Sequence, residues 1–478
     1  MFGFRDWNSL VSCVVTTVCI SSALVALCLA KDVQMPLNLY TDASLQWKHC
    51  GEVNNHTLQC LFRKALTRQE GSRLDVPKDH FSHSSDKTFS IPIIRMLAKN
   101  ASATGDRHIF LNPGGPGASG VGFLRGSAFD LNKLIGEGFH LLSFDPRGVC
   151  GSIPKAVCYS SNSERAAAFA SNLWDLKCQA GAMYTRAENK AKACEDMMGE
   201  YGKYISTPQI AADMNSILDA IGQQKMYYWG LSYGTTLGQT YAQMFPERVS
   251  RMVLDGVSNL DEWYNSFLIE ESLIDTDKIF TGFIEECFKA GEVCPLRSIK
   301  GEQFKLASRL QSYIDGFLHE LEEEPIPVYL NSTNYGAITR RTLVTNGIFF
   351  ALYKPTTWPS FAKILAELLN GNTTPAYNAY SESWVLKYLV DESTTFIGLN
   401  DNRKTGENAP VHGIKPVYHH ISSRPEMSYL VLRCGIDAEY FPSARGSAVS
   451  TLSVEEEDLL SSLHALATKD VFLVRSQV

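Results

Sequence analysis

The stretch YYWGLSYGTTLG, Tyr227 to Gly238, places Ser232 between two glycines directly after a short apolar run. A G-x-S-x-G pattern presents a nucleophilic serine when a strand precedes it and a helix follows, because the serine then lies in a sharp turn with its oxygen exposed. KMYYWGLS predicts such a strand, and YGTTLGQTYAQMF has helical spacing. We therefore expect Ser232 to be a nucleophile and the Tyr233 amide to donate to an oxyanion. An ordinary strand-to-helix turn is the alternative.

From about Ile91 onwards, short apolar segments alternate with amphipathic ones on both sides of this motif. HIFLNPGGPG, GFHLLSFDPRG and RVSRMVLDGV each contain a predicted strand, the second from Phe139 to Phe144. TPQIAADMNSILDAIG predicts a helix that has proline near its start and glycine at its end. The alternation predicts an α/β fold with a mostly parallel sheet and helices on both faces. Residues 260–425 have mostly helical periodicity, which predicts a large helical lid insertion.

A second glycine-rich segment, LNPGGPGASG, follows the first of these strands. Consecutive glycines leave backbone amides uncovered, which suits either a phosphate or an oxyanion. A dinucleotide site would need G-x-G-x-x-G and a P-loop would need G-K-[ST], and neither pattern is present. We therefore predict that the Gly115 amide is the second oxyanion donor, with a purely structural turn as the alternative.

The segment FDPRG, which includes Asp145 and Arg147, ends the next predicted strand. An acidic and a basic residue in one turn indicate an internal ion pair that fixes the loop beside the site. We interpret this segment as structural rather than catalytic.

Together these motifs resemble the tripeptidyl and prolyl aminopeptidase-like branch of the α/β-hydrolases, over roughly residues 47–263. The resemblance implies an α/β-hydrolase fold, Ser232 as nucleophile, and release of short N-terminal units from peptides. The matching segments are N-P-G-G-P-G at 112–117, D-P-R-G at 145–148, Y-W-G-L-S-Y-G-T-T-L-G at 228–238 and L-D-G-V at 254–257.

A serine nucleophile also needs a histidine base and a carboxylate, and in this fold both follow the serine in the chain. The resemblance implies an acid in a D-P-V-T-P-like turn and a base in a G-x-G-H-like loop, both beyond the lid, and neither motif is found. Asp255, after the next strand, is interpreted as structural. We expect a C-terminally shortened member with weak or no activity as written. The histidines that follow Ser232 fit the base poorly: His319, His412, His419, His420 and His464.

The charge and hydrophobicity of the chain indicate which classes of function and partner are expected. The chain has 478 residues and a net charge of −7 without any basic run, so nucleic acid is not an expected partner. No metal or organic cofactor is expected either. The apolar run at residues 9–30 predicts a signal peptide or a membrane anchor, and hence a secreted or single-pass membrane-anchored protein of the secretory pathway. The predicted domains are 1–30 for this leader, 31–258 for the hydrolase core, 259–428 for the lid and 429–478 for a shortened C-terminal segment.

Cysteines and sequons agree with export. Three of the twelve cysteines lie in the leader, and two close pairs, Cys50 with Cys60 and Cys287 with Cys294, predict small disulfide loops. Cys434 is isolated and is expected to lack its partner. Four glycosylation sequons begin at Asn55, Asn100, Asn331 and Asn372.

The predicted partner is therefore a peptide or a small ester. The leading hypothesis is a secretory serine hydrolase of aminopeptidase type, in which a lid carboxylate from Glu262, Glu270 or Glu271 would bind the free α-amino group. A carboxylesterase or lactonase of a biosynthetic pathway uses the same nucleophile and is the second hypothesis. A hydrolase-like scaffold that binds without turnover is the third, because the acid and base are missing.

Overall fold

The computed structural model describes residues 45–63, 73–82, 86–101, 105, 107–169, 176–265, 274–381, 392–401 and 471–474. The predicted leader at 1–30, Glu270, Glu271 and Cys434 lie outside the described residues. The same holds for four of the histidines considered above, at positions 412, 419, 420 and 464.

The strands form one large sheet and two small ribbons. The large sheet has the order β1-β2-β4-β6-β5-β7-β8-β13, and β3 pairs with β4. The pairs β1–β2, β2–β4 and β4–β6 are antiparallel. The pairs β6–β5, β5–β7, β7–β8 and β8–β13 are parallel. The strands are β1 Leu45–Val53, β2 His56–Arg63, β3 Arg73–Pro77, β4 Thr88–Met96, β5 His108–Asn112, β6 His140–Phe144, β7 Met226–Leu231, β8 Val249–Asp255, β9 Ser298–Ile299, β10 Glu302–Gln303, β11 Ile326–Asn331, β12 Asn334–Ile338 and β13 Val471–Val474.

Helices cover both faces of the large sheet. The α-helices are α1 Gly120–Ile135, α2 Asn162–Phe169, α3 Leu176–Met198, α4 Thr207–Ala220, α5 Tyr233–Met244, α6 Leu260–Asn265, α7 Thr276–Lys289, α8 Ala307–Glu323, α9 Arg340–Thr342, α10 Phe350–Leu352, α11 Trp358–Leu369, α12 Thr374–Tyr380 and α13 Glu392–Asp401. A π-helix spans Leu343–Phe349, and short 3₁₀ turns lie at Gly199–Tyr204, Pro246–Arg248, Gly291–Val293, Pro295–Arg297 and Pro355–Thr357.

Two apolar layers sandwich the parallel strands. On one face α1 buries Phe123 and Leu124 in a cluster with Leu111 of β5. On the other face α4 and α5 contribute to a larger cluster, represented by Met214 and Leu237. All five residues of β6 are buried, as expected for a parallel strand that has helices above and below it. The α/β sheet with helices on both faces, which the alternation predicts, is therefore present.

The parallel register brings the carboxyl ends of three strands to one edge. Asn112 of β5 is opposite Gly230 of β7, and Leu231 of β7 is opposite Asp255 of β8. Ligands of open α/β sheets bind at this edge, so the two glycine motifs and the serine meet where chemistry is expected.

Several elements differ from the sequence-based expectation. Strands β1 to β4 were not predicted, because they alternate polar and apolar residues and give no continuous apolar run. The strand β13 was not predicted either, since it is four residues long, yet it pairs in parallel with β8 from Val471 opposite Met252 to Val474 opposite Asp255. The predicted strand from Phe139 begins one residue later, at His140.

The region after β8 is mostly helical, as its periodicity indicates. Residues 274–381 enclose a hydrophobic cluster of their own, which includes Phe283, Leu310 and Leu365. The ribbons β9–β10 and β11–β12 were not expected there. The boundaries 31–258, 259–428 and 429–478 remain predictions.

Disulfides agree with the cysteine spacing. Cys50 is bonded to Cys60 and Cys287 to Cys294, so both predicted pairs are confirmed. A further bond, which spacing alone did not indicate, joins Cys158 to Cys194. Among the described residues, no helix has both the length and the apolar character needed to cross a membrane.

Candidate active site

Ser232 occupies a strained turn at the end of β7. Its φ of 55° and ψ of −123° lie outside the regions that non-glycine residues ordinarily adopt. The residue is exposed, whereas its neighbours Leu231 and Tyr233 are buried. The turn is held by the Ser232 N–H, which donates to the Asp255 carbonyl at 2.9 Å, and by the Thr235 N–H, which donates to the Ser232 carbonyl at 2.8 Å. This geometry presents the hydroxyl to solvent, as predicted.

The two glycines that flank Ser232 are required by close contacts. A Cβ atom at Gly230 would lie 2.3 Å from the Gly234 carbonyl oxygen. One at Gly234 would lie 2.8 Å from the carbonyl oxygen of Asn112 in β5. Both distances are below the van der Waals limit and the neighbours are backbone atoms, so only glycine fits at either position.

The glycine-rich loop after β5 contacts this turn directly. A Cβ atom at Gly114 would lie 2.3 Å from the Leu231 carbonyl oxygen and 2.9 Å from the Tyr233 nitrogen. Gly115 follows with φ of 110° and a cis bond to Pro116. Within the described residues, neither the Gly115 nor the Tyr233 N–H finds a protein acceptor. The predicted pair of oxyanion donors is thus brought together beside Ser232; their roles remain predictions.

Asp145 fixes the start of α1. Its carboxylate is buried and accepts from the Ser119 hydroxyl at 2.6 Å, the Val121 N–H at 3.0 Å and the Gly151 N–H at 3.0 Å. Ser119 is the N-cap of α1 and accepts in turn from the Gly122 N–H. Asp145 is structural, as interpreted from the sequence.

Arg147 forms the predicted ion pair, but its partner lies outside the turn. The guanidinium, fully buried, contacts both carboxylate oxygens of Asp213 on α4, at 2.8 and 2.5 Å. It also donates to the carbonyls of Lys78 and Pro77. These bonds tie the loop after β6 to α4 and to the end of β3, and a buried bidentate pair of this kind is strongly directional.

The helix α13 docks against the glycine-rich loop, which sequence reasoning missed. The Thr394 hydroxyl donates to the Pro116 carbonyl at 2.6 Å. A Cβ atom at Gly117 would lie 2.8 Å from both the Ser393 and the Thr394 hydroxyl oxygens. At the start of the helix, the largely buried Glu392 pairs with Arg165, with Nη2 and Oε2 2.7 Å apart.

The other end of α13 reaches the residue after the nucleophile. The Asp401 carboxylate is buried and accepts from the Thr207 N–H at 2.8 Å and from the Trp263 indole N–H at 3.0 Å. The Tyr233 hydroxyl and Thr207 Oγ1 are 2.6 Å apart, and Thr207 in turn donates to Asp401. Burial raises the pKa of Asp401 to about 6, against the opposing effect of these hydrogen bonds. One helix therefore contacts the glycine-rich loop directly and the Tyr233 side chain through Thr207.

The acid and base of a triad are not assembled among the described residues. Within this part of the chain, the Ser232 hydroxyl has no hydrogen-bond partner. Of the histidines after Ser232, the described one is His319, which is exposed on α8. Asp255 is buried, burial raises the pKa of its carboxyl, and its carbonyl supports the nucleophile turn. That support agrees with the structural interpretation of Asp255.

The strand β13 continues the parallel sheet beyond β8, so Val474 reaches the same edge as Asp255. In the part of the chain that the structure describes, no group of three or more potential metal ligands was found.

Comparison with known proteins agrees with this geometry. Residues 107–284 match the α/β hydrolase fold family model. This match and the sheet described above give the chain an α/β-hydrolase fold. Over 315 residues it is 30% identical to serine protease Hip1 of Mycobacterium tuberculosis, covering 62% of this chain and 55% of that protein. Over 201 residues it is 33% identical to tripeptidyl aminopeptidase of Streptomyces lividans, covering 40% and 36%.

A third relative is named as an esterase rather than a peptidase. Carboxylesterase B of Mycobacterium tuberculosis is 28% identical over 335 residues, covering 68% of this chain and 58% of that protein. The matched part of the α/β-hydrolase thus spans about half the length of these relatives, or less. The resemblance to the tripeptidyl aminopeptidase-like branch is confirmed by these relatives, and the named serine peptidases among them relate the chain to serine hydrolases of peptidase type.

Proposed function

We propose that this α/β-hydrolase is a secretory aminopeptidase that releases short N-terminal units from peptides through an acyl-enzyme on Ser232. The observation that carries the proposal is the strained, exposed turn of Ser232 packed against the glycine-rich loop at Gly114. Backbone strain of this kind costs about 1–3 kcal/mol and persists where the surrounding structure enforces it, most often at active sites. The relatives named serine protease and tripeptidyl aminopeptidase support the same class.

In this reaction Ser232 Oγ attacks the scissile carbonyl. The amide N–H groups of Gly115 and Tyr233 stabilise the oxyanion of the tetrahedral intermediate, because both are free of protein acceptors within the described residues. A base takes the serine proton and returns it to the leaving amine, after which water hydrolyses the acyl-enzyme. The base and its orienting carboxylate are not assigned to any described residue.

Selection of a free N-terminus requires a carboxylate near the substrate's α-amino group. Glu262 is the described candidate: it is half-buried on α6, next to Trp263, which is hydrogen-bonded to Asp401. A carboxylate in a partly buried position attracts an ammonium group more strongly than an exposed one. Glu262→Gln is therefore expected to raise KM for peptides with a free N-terminus and to leave N-acetylated or ester substrates unaffected.

Active-site labelling tests the nucleophile. The full chain would be treated with a fluorophosphonate probe, with Ser232→Ala and Ser258→Ala as paired variants. Labelling of the wild type and of Ser258→Ala, with none of Ser232→Ala, is the expected result. A wild-type chain that is folded and never labels would contradict a catalytic role for Ser232.

An esterase is the second candidate, favoured by the carboxylesterase among the relatives. Both activities use one nucleophile and one oxyanion hole, so substrate contacts outside them decide between the two. Comparing kcat/KM for a tripeptide anilide and for short acyl esters distinguishes them: a peptidase shows the larger value for the anilide. A non-catalytic scaffold, favoured by the unpartnered Ser232 hydroxyl in the described part of the chain, would hydrolyse neither.

We propose export on the strength of the leader and the disulfides. An apolar run at residues 9–30 precedes a chain that forms disulfide bonds, which persist in oxidising compartments. Fractionation of cells that express the full chain tests this: a secreted product lacking residues 1–30 indicates a cleaved signal, and a product in the membrane pellet indicates an anchor. A reduced chain in the cytosol would contradict export.

A further inference from the structure

The hairpin of β11 and β12 carries two exposed tyrosines. Tyr329 and Tyr335 lie directly opposite each other on the two strands and are 73% and 64% exposed. Their rings stack with centroids 6.4 Å apart and planes inclined by 26°. Val328 is buried, so the strand alternation puts the tyrosines on the side away from the core. A contiguous pair of exposed aromatic rings is the kind of apolar surface that marks a contact site.

The turn of the same hairpin is Asn331-Ser332-Thr333, an N-x-[ST] sequon. All three residues are exposed. The Asn331 carbonyl oxygen Oδ1 accepts from the Thr333 N–H at 3.0 Å and from its hydroxyl at 2.9 Å, which forms an Asx turn. Because Oδ1 makes both of these turn-stabilising hydrogen bonds, the amide nitrogen Nδ2 can carry a substituent without disrupting the turn.

We propose that Asn331 carries an N-linked glycan whose first sugar ring stacks on Tyr329 and Tyr335. Asn331 follows Tyr329 by two residues across a bulge in β11, and both residues are exposed, so the sugar attached to Asn331 begins close to the rings in the chain. A pyranose ring presents an apolar C–H face, and burying that face on aromatic surface is favourable. The glycan thus accounts for two features, the exposed aromatic pair and the sequon between the paired strands.

The covalent step takes its donor from the secretory pathway and therefore rests on the proposed export. A bond forms between Asn331 Nδ2 and the anomeric carbon of a lipid-pyrophosphate-linked oligosaccharide. The bond from that carbon to the pyrophosphate oxygen breaks, Nδ2 loses one proton, and the lipid pyrophosphate leaves. No electrons are exchanged, so no oxidant is needed.

A second sequon, at Asn372, provides a matched control. Asn372 is also exposed, but its Nδ2 donates to the Glu367 carboxylate at 3.0 Å after the end of α11. A glycan there would replace a hydrogen bond rather than cover an aromatic pair. Removing it is expected to leave the melting temperature unchanged.

The test uses the full chain produced in a eukaryotic secretory host, with the variants Asn331→Gln, Asn372→Gln and Tyr329→Ser/Tyr335→Ser. Peptide mass spectrometry after enzymatic deglycosylation in heavy-oxygen water is expected to show labelled aspartate at position 331. Protein trimmed to one sugar per site should melt about 1–3 °C above fully deglycosylated protein, the size expected of one aromatic contact. The double tyrosine variant should abolish that difference, and Asn372→Gln should preserve it.

Three results would overturn the inference. Position 331 could be unmodified in a chain that carries sugar at its other sequons. The one-sugar and sugar-free forms of the wild type could have the same melting temperature. The wild type could form a dimer that the double tyrosine variant cannot, in which case a second copy of the chain covers the rings. Fluorophosphonate labelling of Ser232 is independent of all three, so failure here is distinguishable from failure of the proposed hydrolase.

Discussion

Replacing Ser232 by glycine is expected to stabilise the fold relative to replacing it by alanine. The residue has φ of 55° and ψ of −123°, a conformation that costs a residue with a Cβ atom about 1–3 kcal/mol. Glycine removes this strain but gains about 0.5–1 kcal/mol of conformational entropy in the unfolded chain. The net expectation is that Ser232→Gly exceeds Ser232→Ala in free energy of unfolding by about 0–2.5 kcal/mol.

The measurement is urea-induced unfolding of both variants, followed by fluorescence, with equal m-values required so that midpoints can be compared. Ser232 also precedes helix α5 as its N-cap, where glycine is preferred to alanine for a separate reason. Ser206 controls for that preference. It is the N-cap of α4, makes no side-chain capping bond, and has ordinary dihedrals of −143° and 158°.

The difference between Ser206→Gly and Ser206→Ala therefore measures the capping preference together with the unfolded-chain entropy of glycine. Subtracting it from the difference at position 232 isolates the strain. A corrected difference of zero, or one that favours alanine, would refute the reasoning, because the turn would then not be strained. A positive value would show that the strained turn that exposes the Ser232 hydroxyl lowers the free energy of unfolding, as expected of a nucleophile.

Three further changes test the surrounding framework. Asp213→Ala should destabilise the chain by about 3–5 kcal/mol in chemical unfolding, because it leaves Arg147 buried without a counter-charge, and Arg147→Met/Asp213→Leu should lose much less. Thr394→Val should slow fluorophosphonate labelling about tenfold by freeing the Pro116 carbonyl, while Thr394→Ser restores the rate. Since the pKa of Asp401 is about 6 when folded and about 3.9 when unfolded, the native state binds the extra proton and the free energy of unfolding should fall by about 2 kcal/mol as pH rises from 4 to 6. Asp401→Asn should flatten that dependence in pH-resolved melts.

The parts of the site that could be predicted from sequence are those enforced by near neighbours in the chain. Gly230 precedes Ser232 because the turn brings the Gly234 carbonyl oxygen to where a Cβ atom would lie, and this requirement is visible in five consecutive letters. The buried strands β5 to β8 are equally visible, since parallel strands covered on both faces form continuous apolar runs.

The parts that could not be predicted depend on partners distant in the chain. The sequence indicated an ion pair at Arg147 but gave no sign that the carboxylate would be Asp213, 66 residues away on α4. Strands β1 to β4 have one face partly exposed, so they lack the apolar run on which the strand predictions relied. For α13, the sequence ESTTFIGLND contains no motif, and its docking depends on an ion pair and hydrogen bonds with residues distant in the chain, such as Arg165 and Thr207.

Helix α13 is connected by hydrogen bonds to both segments of the predicted oxyanion hole. Thr394 bonds the loop that carries Gly115, and Asp401 reaches the Tyr233 hydroxyl through Thr207, so one helix supports both segments that carry the predicted donors. That helix lies within the region predicted as the lid, residues 259–428, and outside the segment matched by the family model. A movement of α13 would therefore displace both donors together, and substrate contacts that stabilise its docked position would also stabilise the oxyanion geometry. Binding energy gained away from the scissile bond would then lower the barrier at Ser232, which is how an aminopeptidase could favour peptides over simple esters that carry the same reactive carbonyl.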